Sequence, residues 1–134
     1  MTLVIDASLL VAALTNFDSD GAWARRTIQS DSLAACHHLP LEVANVLRRM
    51  ELAGEISPDI ITIAHAEMFA TSIELHPYQP FANRVWQLRH SVTIHDAWYV
   101  ALAETLEAQL ATLDSRLTRA PGPRCQFLTP PAPP

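Results

Sequence analysis

Lysine is missing from this chain: all 9 basic residues among its 134 are arginine. Chemistry that needs a lysine ammonium is therefore excluded. That removes Schiff-base catalysis, P-loop phosphate contacts and lysine-assisted phosphoryl transfer to an aspartate. Glycine is nearly as scarce. The 3 glycines, Gly21, Gly54 and Gly122, lie far apart, so no phosphate loop of the GxGxxG or GxxxxGK(S/T) kind can be written. The 2 cysteines, Cys36 and Cys125, sit in apolar runs without CxxC or Cys/His zinc spacing. They read as reduced core residues rather than a disulfide. Long hydrophobic runs are also lacking. Leu9 to Leu14 is among the longest, far short of the roughly 20 residues that span a bilayer. The N-terminus opens on the strand-like Leu3-Val4-Ile5 with no basic segment or cleavage site before it. No signal peptide and no membrane segment are expected, and the expected location is the cytoplasm.

What is present suits one folded domain. Apolar residues make up 49% of the chain and charged residues 17%, enough for one core and too apolar for a disordered chain. The net charge of −5 argues against a nonspecific basic coat for nucleic acid. It leaves room for an enzyme that gathers carboxylates around a cation and meets nucleic acid through local arginines.

Short apolar runs alternate with helical patterns. Leu3 to Asp6, Leu33 to Cys36, Ile73 to Leu75, Leu110 to Leu113 and Cys125 to Leu128 read as strands. Between them, helical spacing covers Ser8 to Phe17, Gly21 to Ser30, Pro40 to Ala53, a segment opening at Pro58, Phe81 to His90, and Thr93 to about Ala108. Pro40 and Pro58 stand where a helix begins, and Gly54 where one ends. In the segment after Pro58, Ile60, Ile63, Ala64 and Glu67 follow at helical spacing. The strands lack polar alternation, as in an α/β fold whose parallel sheet has helices on both faces. Residues 1–129 are expected to form this single domain, and the proline-rich 130–134 a disordered tail.

Four acids stand out by position. Asp6 directly follows the first strand and Asp114 the fourth. Glu42 is in the first turn of the helix opened by Pro40, and Asp96 is near the start of the Thr93 to Ala108 helix. Strand C-termini and the following helix N-termini share one edge of an open parallel sheet, where ligands bind in such folds. Each acid also has a plain structural reading. Asp6, Asp96 and Asp114 could cap the helices or turns after them, and Glu42 could complement a helix dipole. If the four converge, two unit charges about 4 Å apart repel by about 4 kcal/mol at an effective dielectric near 20. A hard divalent cation resolves that repulsion. Mg²⁺ and Mn²⁺ take carboxylate and water oxygens together with substrate phosphate. With no lysine or serine triad, a metal-activated water attacking a phosphodiester is the natural chemistry.

Val4-Ile5-Asp6-Ala7-Ser8, Leu41-Glu42-Val43-Ala44-Asn45-Val46-Leu47-Arg48-Arg49, His95-Asp96-Ala97-Trp98-Tyr99-Val100-Ala101-Leu102-Ala103 and Ala111-Thr112-Leu113-Asp114-Ser115-Arg116-Leu117 resemble, in order and spacing, the acidic motifs of PIN-domain ribonucleases. The likeness is to VapC-type toxins of type II toxin–antitoxin systems and covers about residues 2–129. It implies a three-layer α/β/α fold with a central parallel sheet of about five strands, and a Mg²⁺- or Mn²⁺-dependent endoribonuclease. Asp6, Glu42, Asp96 and Asp114 match the family's acidic quartet. By resemblance, Asp6 and Asp96 are the principal metal ligands, and Glu42 and Asp114 complete the site. Ser8 matches a small hydroxyl residue beside the first acid, and Asn45 a polar residue one turn after the glutamate. Leu41 stands where the family usually has a serine or threonine. The partners implied are an RNA substrate, a cognate antitoxin and a second copy in a homodimer.

Arg116 and Arg119, one helical turn apart beside Asp114, are candidates for RNA phosphates or plain solvated surface. Arg48 and Arg49 could face RNA or an antitoxin. His37, His38 and Glu42 have a metal-like spacing, but the two histidines end a strand before Pro40, which argues against zinc. His95 could assist proton transfer or be structural. Trp98 and Tyr99 read as core and interface residues. Two other classes compete. A catalytically silent PIN-like binding module is opposed by the presence of all four acids. A phosphoacceptor receiver domain needs an acid pair after its first strand and a lysine, and the chain has neither.

Overall fold

A computed structural model describes residues 1–30 and 32–132. Its elements run β1 (Thr2–Ile5), α1 (Ala7–Thr15), α2 (Ser19–Ser30), β2 (Ser32–Cys36), α3 (Leu39–Leu52), α4 (Pro58–Ala70) and β3 (Ile73–His76). A short 3₁₀ turn (Gln79–Phe81) follows, then α5 (Ala82–Gln87), α6 (Ile94–Leu106), β4 (Gln109–Ala111), α7 (Ser115–Arg119) and β5 (Phe127–Leu128).

Leu3, Val4 and Ile5 of β1 are essentially inaccessible to solvent. That explains an apolar run without alternation, since β1 is covered on both faces. The sheet has the order β3-β2-β1-β4-β5, and every pairing is parallel. The chain moves outward from β1 to β3, then returns to the far side of β1 as β4. Right-handed crossovers therefore place α1 to α4 on one face and α5 with α6 on the other. α1 packs with α2, α3 and α4, while α6 packs with α5 and lies against β1, β2 and β4. The fold is the expected α/β architecture with a five-stranded parallel sheet.

Helix starts follow local chemistry. Asp6, Ser57, Thr93 and Asp114 each accept a backbone N–H at the head of a helix. Gly54, at φ +73°, takes the left-handed conformation after α3, where only glycine is unstrained. The small Ala97, Ala101 and Ala103 let α6 lie close on the sheet, and all are buried.

Several boundaries differ from the sequence expectation. The fourth strand stops at Ala111 rather than Leu113, because the backbone turns there and the Leu113 N–H donates to Ser8 Oγ. The fifth strand is only Phe127–Leu128, and the helix expected to reach His90 ends at Gln87. α4 buries Ile61, Ala64 and Met68. Ile60 and Ile63 face outward instead, since this helix is apolar on several sides and periodicity alone does not set its phase. Residues Pro130–Ala132 have no regular structure; Pro133 and Pro134 of the expected tail lie outside the described residues. Both cysteines are free, Cys36 buried and Cys125 half-buried. Among the described residues no helix is long and apolar enough to cross a membrane.

Candidate active site

The sheet order reverses between β1 and β4, so the crevice outside their carboxyl ends is where this architecture opens a site. Asp6 leaves β1 at that crevice and caps α1. Its Oδ1 accepts from Ser8 Oγ at 2.6 Å and from the Leu9 N–H at 3.1 Å. Its Oδ2 accepts from Thr112 Oγ1 at 2.5 Å. The side chain is only 5% exposed, and all three donors are neutral. Burial pushes the Asp6 carboxyl up to about 6; the three hydrogen bonds pull it back, and the charge of Asp96 adds to the rise.

Thr112 carries no strong signal in the sequence. It is fully buried and ties two loops together. Its Oγ1 donates to Asp6 and accepts the Asp114 N–H at 3.0 Å. A hydroxyl residue just before Leu113-Asp114, at the end of an apolar strand, was the available signal. Ser8 makes the parallel link by accepting the Leu113 N–H at 3.1 Å. The turn after β1 and the turn after β4 are thus held in one network.

Asp114 caps α7, accepting from the Arg116 and Leu117 N–H groups. Asp96 sits in the first turn of α6 but is not its cap. Thr93 is, accepting the Asp96 N–H at 3.2 Å, because the helix begins at Ile94. Asp96 is half-buried. Burial raises its carboxyl and Asp114 adds to that, while Thr93, His95 and Arg116 oppose it. Asp96, Asp114, Thr93, Arg89 and Arg116 line one cavity of about 500 Å³. Arg116 and Arg119 are both exposed, and only Arg116 lines this cavity.

Glu42 stands on α3 beside the next cavity, of about 740 Å³, which Asn45, Arg48 and Arg49 also line. Its Oε1 accepts from the Tyr99 hydroxyl at 3.0 Å. Tyr99 is buried, and its phenol is pushed up by burial first, then by the charges of Glu42, Cys36 and Asp6. Asp6, Asp96 and Asp114 are therefore coupled one to the next. The Tyr99 hydroxyl that holds Glu42 also feels the charge of Asp6, but Glu42 lines a separate cavity from Asp96 and Asp114. Trp98 is buried as well, in edge-to-face contact with His38 and Tyr78, so both aromatics are core residues.

The structure regroups the histidines. His37 is exposed, and its backbone N–H extends the β2–β3 ladder to His76 O at 2.9 Å. It is His95 that joins His38 and Glu42, each of the three offering a ligand atom within 4.8 Å of the others.

The carboxylates suit a hard divalent cation. Asp6 is a buried carboxylate whose hydrogen-bond partners are neutral; the charge of Asp96 acts on it, and that of Asp114 acts on Asp96, opposed there by His95 and Arg116. Such a set of oxygen donors without an ammonium group is what Mg²⁺ or Mn²⁺ sites present.

Residues 3–123 match the model of the PIN domain family. The chain is 38% identical over 125 residues to Ribonuclease VapC1 of Mycobacterium tuberculosis, an alignment covering 92% of this chain and 94% of that protein. Its fold is similar to the crystal structure of Mycobacterium tuberculosis VapC20, a sarcin–ricin loop cleaving toxin. The TM-score is 0.66 at 17% identity, over 87% of this chain and 92% of that one. It is similar also to VapBC2 from Rickettsia felis bound to a DNA fragment from its promoter, with a TM-score of 0.66 at 13% identity over 96% and 98% of the two chains.

Proposed function

Since the chain belongs to the PIN-domain family, in its VapC ribonuclease branch, we propose that it is an endoribonuclease toxin that hydrolyses RNA phosphodiesters with Mg²⁺ or Mn²⁺ and is neutralised by a cognate antitoxin. The observation that carries the reading is Asp6. A carboxylate that is 5% exposed, oriented by three neutral donors and pushed up to about 6 is a costly group to keep. It lies beside Asp96 and Asp114 at the β1/β4 crevice, where a cation would offset the charge of all three.

Each residue has a role in this proposal. Asp6 and Asp96 are the principal ligands, with Asp114 and Glu42 completing the acidic set. Ser8 and Thr112 hold the Asp6 carboxylate in one orientation, which strengthens a ligand's grip on its ion. Tyr99 does the same for Glu42. A bound divalent cation would supply Lewis-acid activation of the phosphodiester and of water. Arg116, exposed at the rim of the Asp96–Asp114 cavity, offers its guanidinium to an RNA phosphate, with Arg119 one turn on. Asn45 lies one turn after Glu42 and lines the neighbouring cavity. We also propose a homodimer in the cytoplasm and one domain over residues 1–129, followed by the proline-rich 130–134.

The test is cleavage of total cellular RNA by purified protein with Mg²⁺, with Mn²⁺ and with EDTA, beside Asp6→Asn and Asp96→Asn. Discrete fragments that need the cation and vanish in both variants are expected. A folded Asp6→Asn protein that cuts as well as wild type would refute the reading.

A further inference from the structure

We propose that His38, Glu42 and His95 form a second cation site, one that selects a borderline transition ion such as Zn²⁺, and that filling it withdraws Glu42 from the carboxylate centre and slows cleavage. The second half rests on the ribonuclease reading above; the first does not.

Three stretches of chain build the site. His38 stands at the head of α3, Glu42 one turn further along it, and His95 in the first turn of α6. The His38 Nε2 lies 3.9 Å from Glu42 Oε1. The His38 and His95 rings meet edge-on at 77°, their centres 4.5 Å apart. With one ligand atom from each residue, all three atoms lie within 4.8 Å of one another. Zinc bonds of about 2.0–2.1 Å place tetrahedral ligand atoms about 3.3 Å apart. Small side-chain rotations close the difference, and His95 is exposed and free to make them.

The donor chemistry separates this site from its neighbour. Two imidazoles and one carboxylate are a set that binds zinc while leaving a fourth position open. Imidazole suits Zn²⁺, Cu²⁺ and Ni²⁺, whereas an all-carboxylate centre suits Mg²⁺ and Mn²⁺. Surrounding contacts also hold the ligands. The Tyr99 hydroxyl donates to Glu42 Oε1 at 3.0 Å, and the buried Trp98 packs edge-on to His38 at 6.0 Å. The side chains of His38 and Glu42 are 24% and 23% exposed, so an ion can enter from solvent. Arg48 and Arg49 line the same cavity. They stand about 9 Å or more further along α3 from Glu42, which leaves the histidine end free of cationic side chains among its lining residues.

The experiment is titration of the full, metal-free chain with Zn²⁺ by calorimetry and with Co²⁺ by visible absorption. The proteins compared are wild type, His38→Ala, His95→Gln and Asp6→Asn, each checked for folding by circular dichroism. Wild type and Asp6→Asn should show Co²⁺ bands of imidazole coordination. Both histidine variants should lose them and bind Zn²⁺ more than about tenfold more weakly. Equal Zn²⁺ binding in wild type and the histidine variants, or none in wild type, overturns the site. In a second arm, Zn²⁺ should inhibit Mg²⁺-supported RNA cleavage by wild type and spare cleavage by His95→Gln. Equal inhibition of both overturns the regulatory half. Zn²⁺ binding that follows the histidines in a protein that never cuts RNA keeps the site and refutes the ribonuclease reading instead.

Discussion

Asparagine at position 6 should make the cation-free protein more stable at neutral pH than the aspartate it replaces. Asp6 is held at about 6 in the fold against an ordinary value of 3.8, chiefly because it is buried. A carboxyl raised in this way gives its full stabilisation while protonated, below pH 4, and loses it as pH rises through about 6. The gap between the two values, at about 1.4 kcal/mol for each unit of pH, is about 3 kcal/mol of strain above pH 7. Asp6→Asn removes the charge and keeps the shape. The value of about 6 is already the balance of burial against the three hydrogen bonds, so their weakening is included in that figure. The variant should therefore gain about 3 kcal/mol over wild type at pH 7.5, and about 1 kcal/mol at pH 4.5. The assay is urea unfolding of both proteins in EDTA at several pH values. Taking the difference between them cancels the other carboxyls. A difference that is flat with pH, or a variant less stable than wild type at pH 7.5, refutes the reasoning. Adding Mg²⁺ should stabilise wild type more than the variant.

Three further outcomes follow from the contacts. Thr112→Val removes the donor to Asp6 Oδ2 and leaves the Asp114 N–H without its acceptor; urea unfolding should show a loss of about 2–4 kcal/mol, and calorimetry weaker Mg²⁺ binding. Glu104→Ala breaks the paired contacts with Arg84 at 2.7 and 3.1 Å and the Arg124 N–H bond at 2.7 Å. The cost at pH 7 should be about 1–3 kcal/mol by the same assay. It should shrink as pH falls, because these partners hold the Glu104 carboxyl below its ordinary value. A Cβ at Gly21 would run into the Asn16 carbonyl, so Gly21→Ala should cost about 1–3 kcal/mol in thermal or urea unfolding.

The sequence by itself determined much of this protein. Unalternating apolar strands such as Leu3-Val4-Ile5 and Leu33 to Cys36 make sense only if buried on both faces, which requires a parallel sheet with helices over it. The placement of Asp6, Glu42, Asp96 and Asp114 next to strand ends and helix starts needed only local signals, because capping and strand termination act over a few residues. The tertiary structure decided what depends on packing between distant segments. It set the phase of α4, which its broadly apolar surface left undetermined, and the early end of β4, where a hydrogen bond from Leu113 to Ser8 competes with the ladder. It assigned Thr112, 106 residues from Asp6 along the chain, to orient that carboxylate. It also paired His38 with His95 rather than with its neighbour His37. Spacing along a chain specifies which side chains share a helix face, but only the tertiary structure brings the head of α3 and the first turn of α6 together, so that groups from two helices come within reach of one ion.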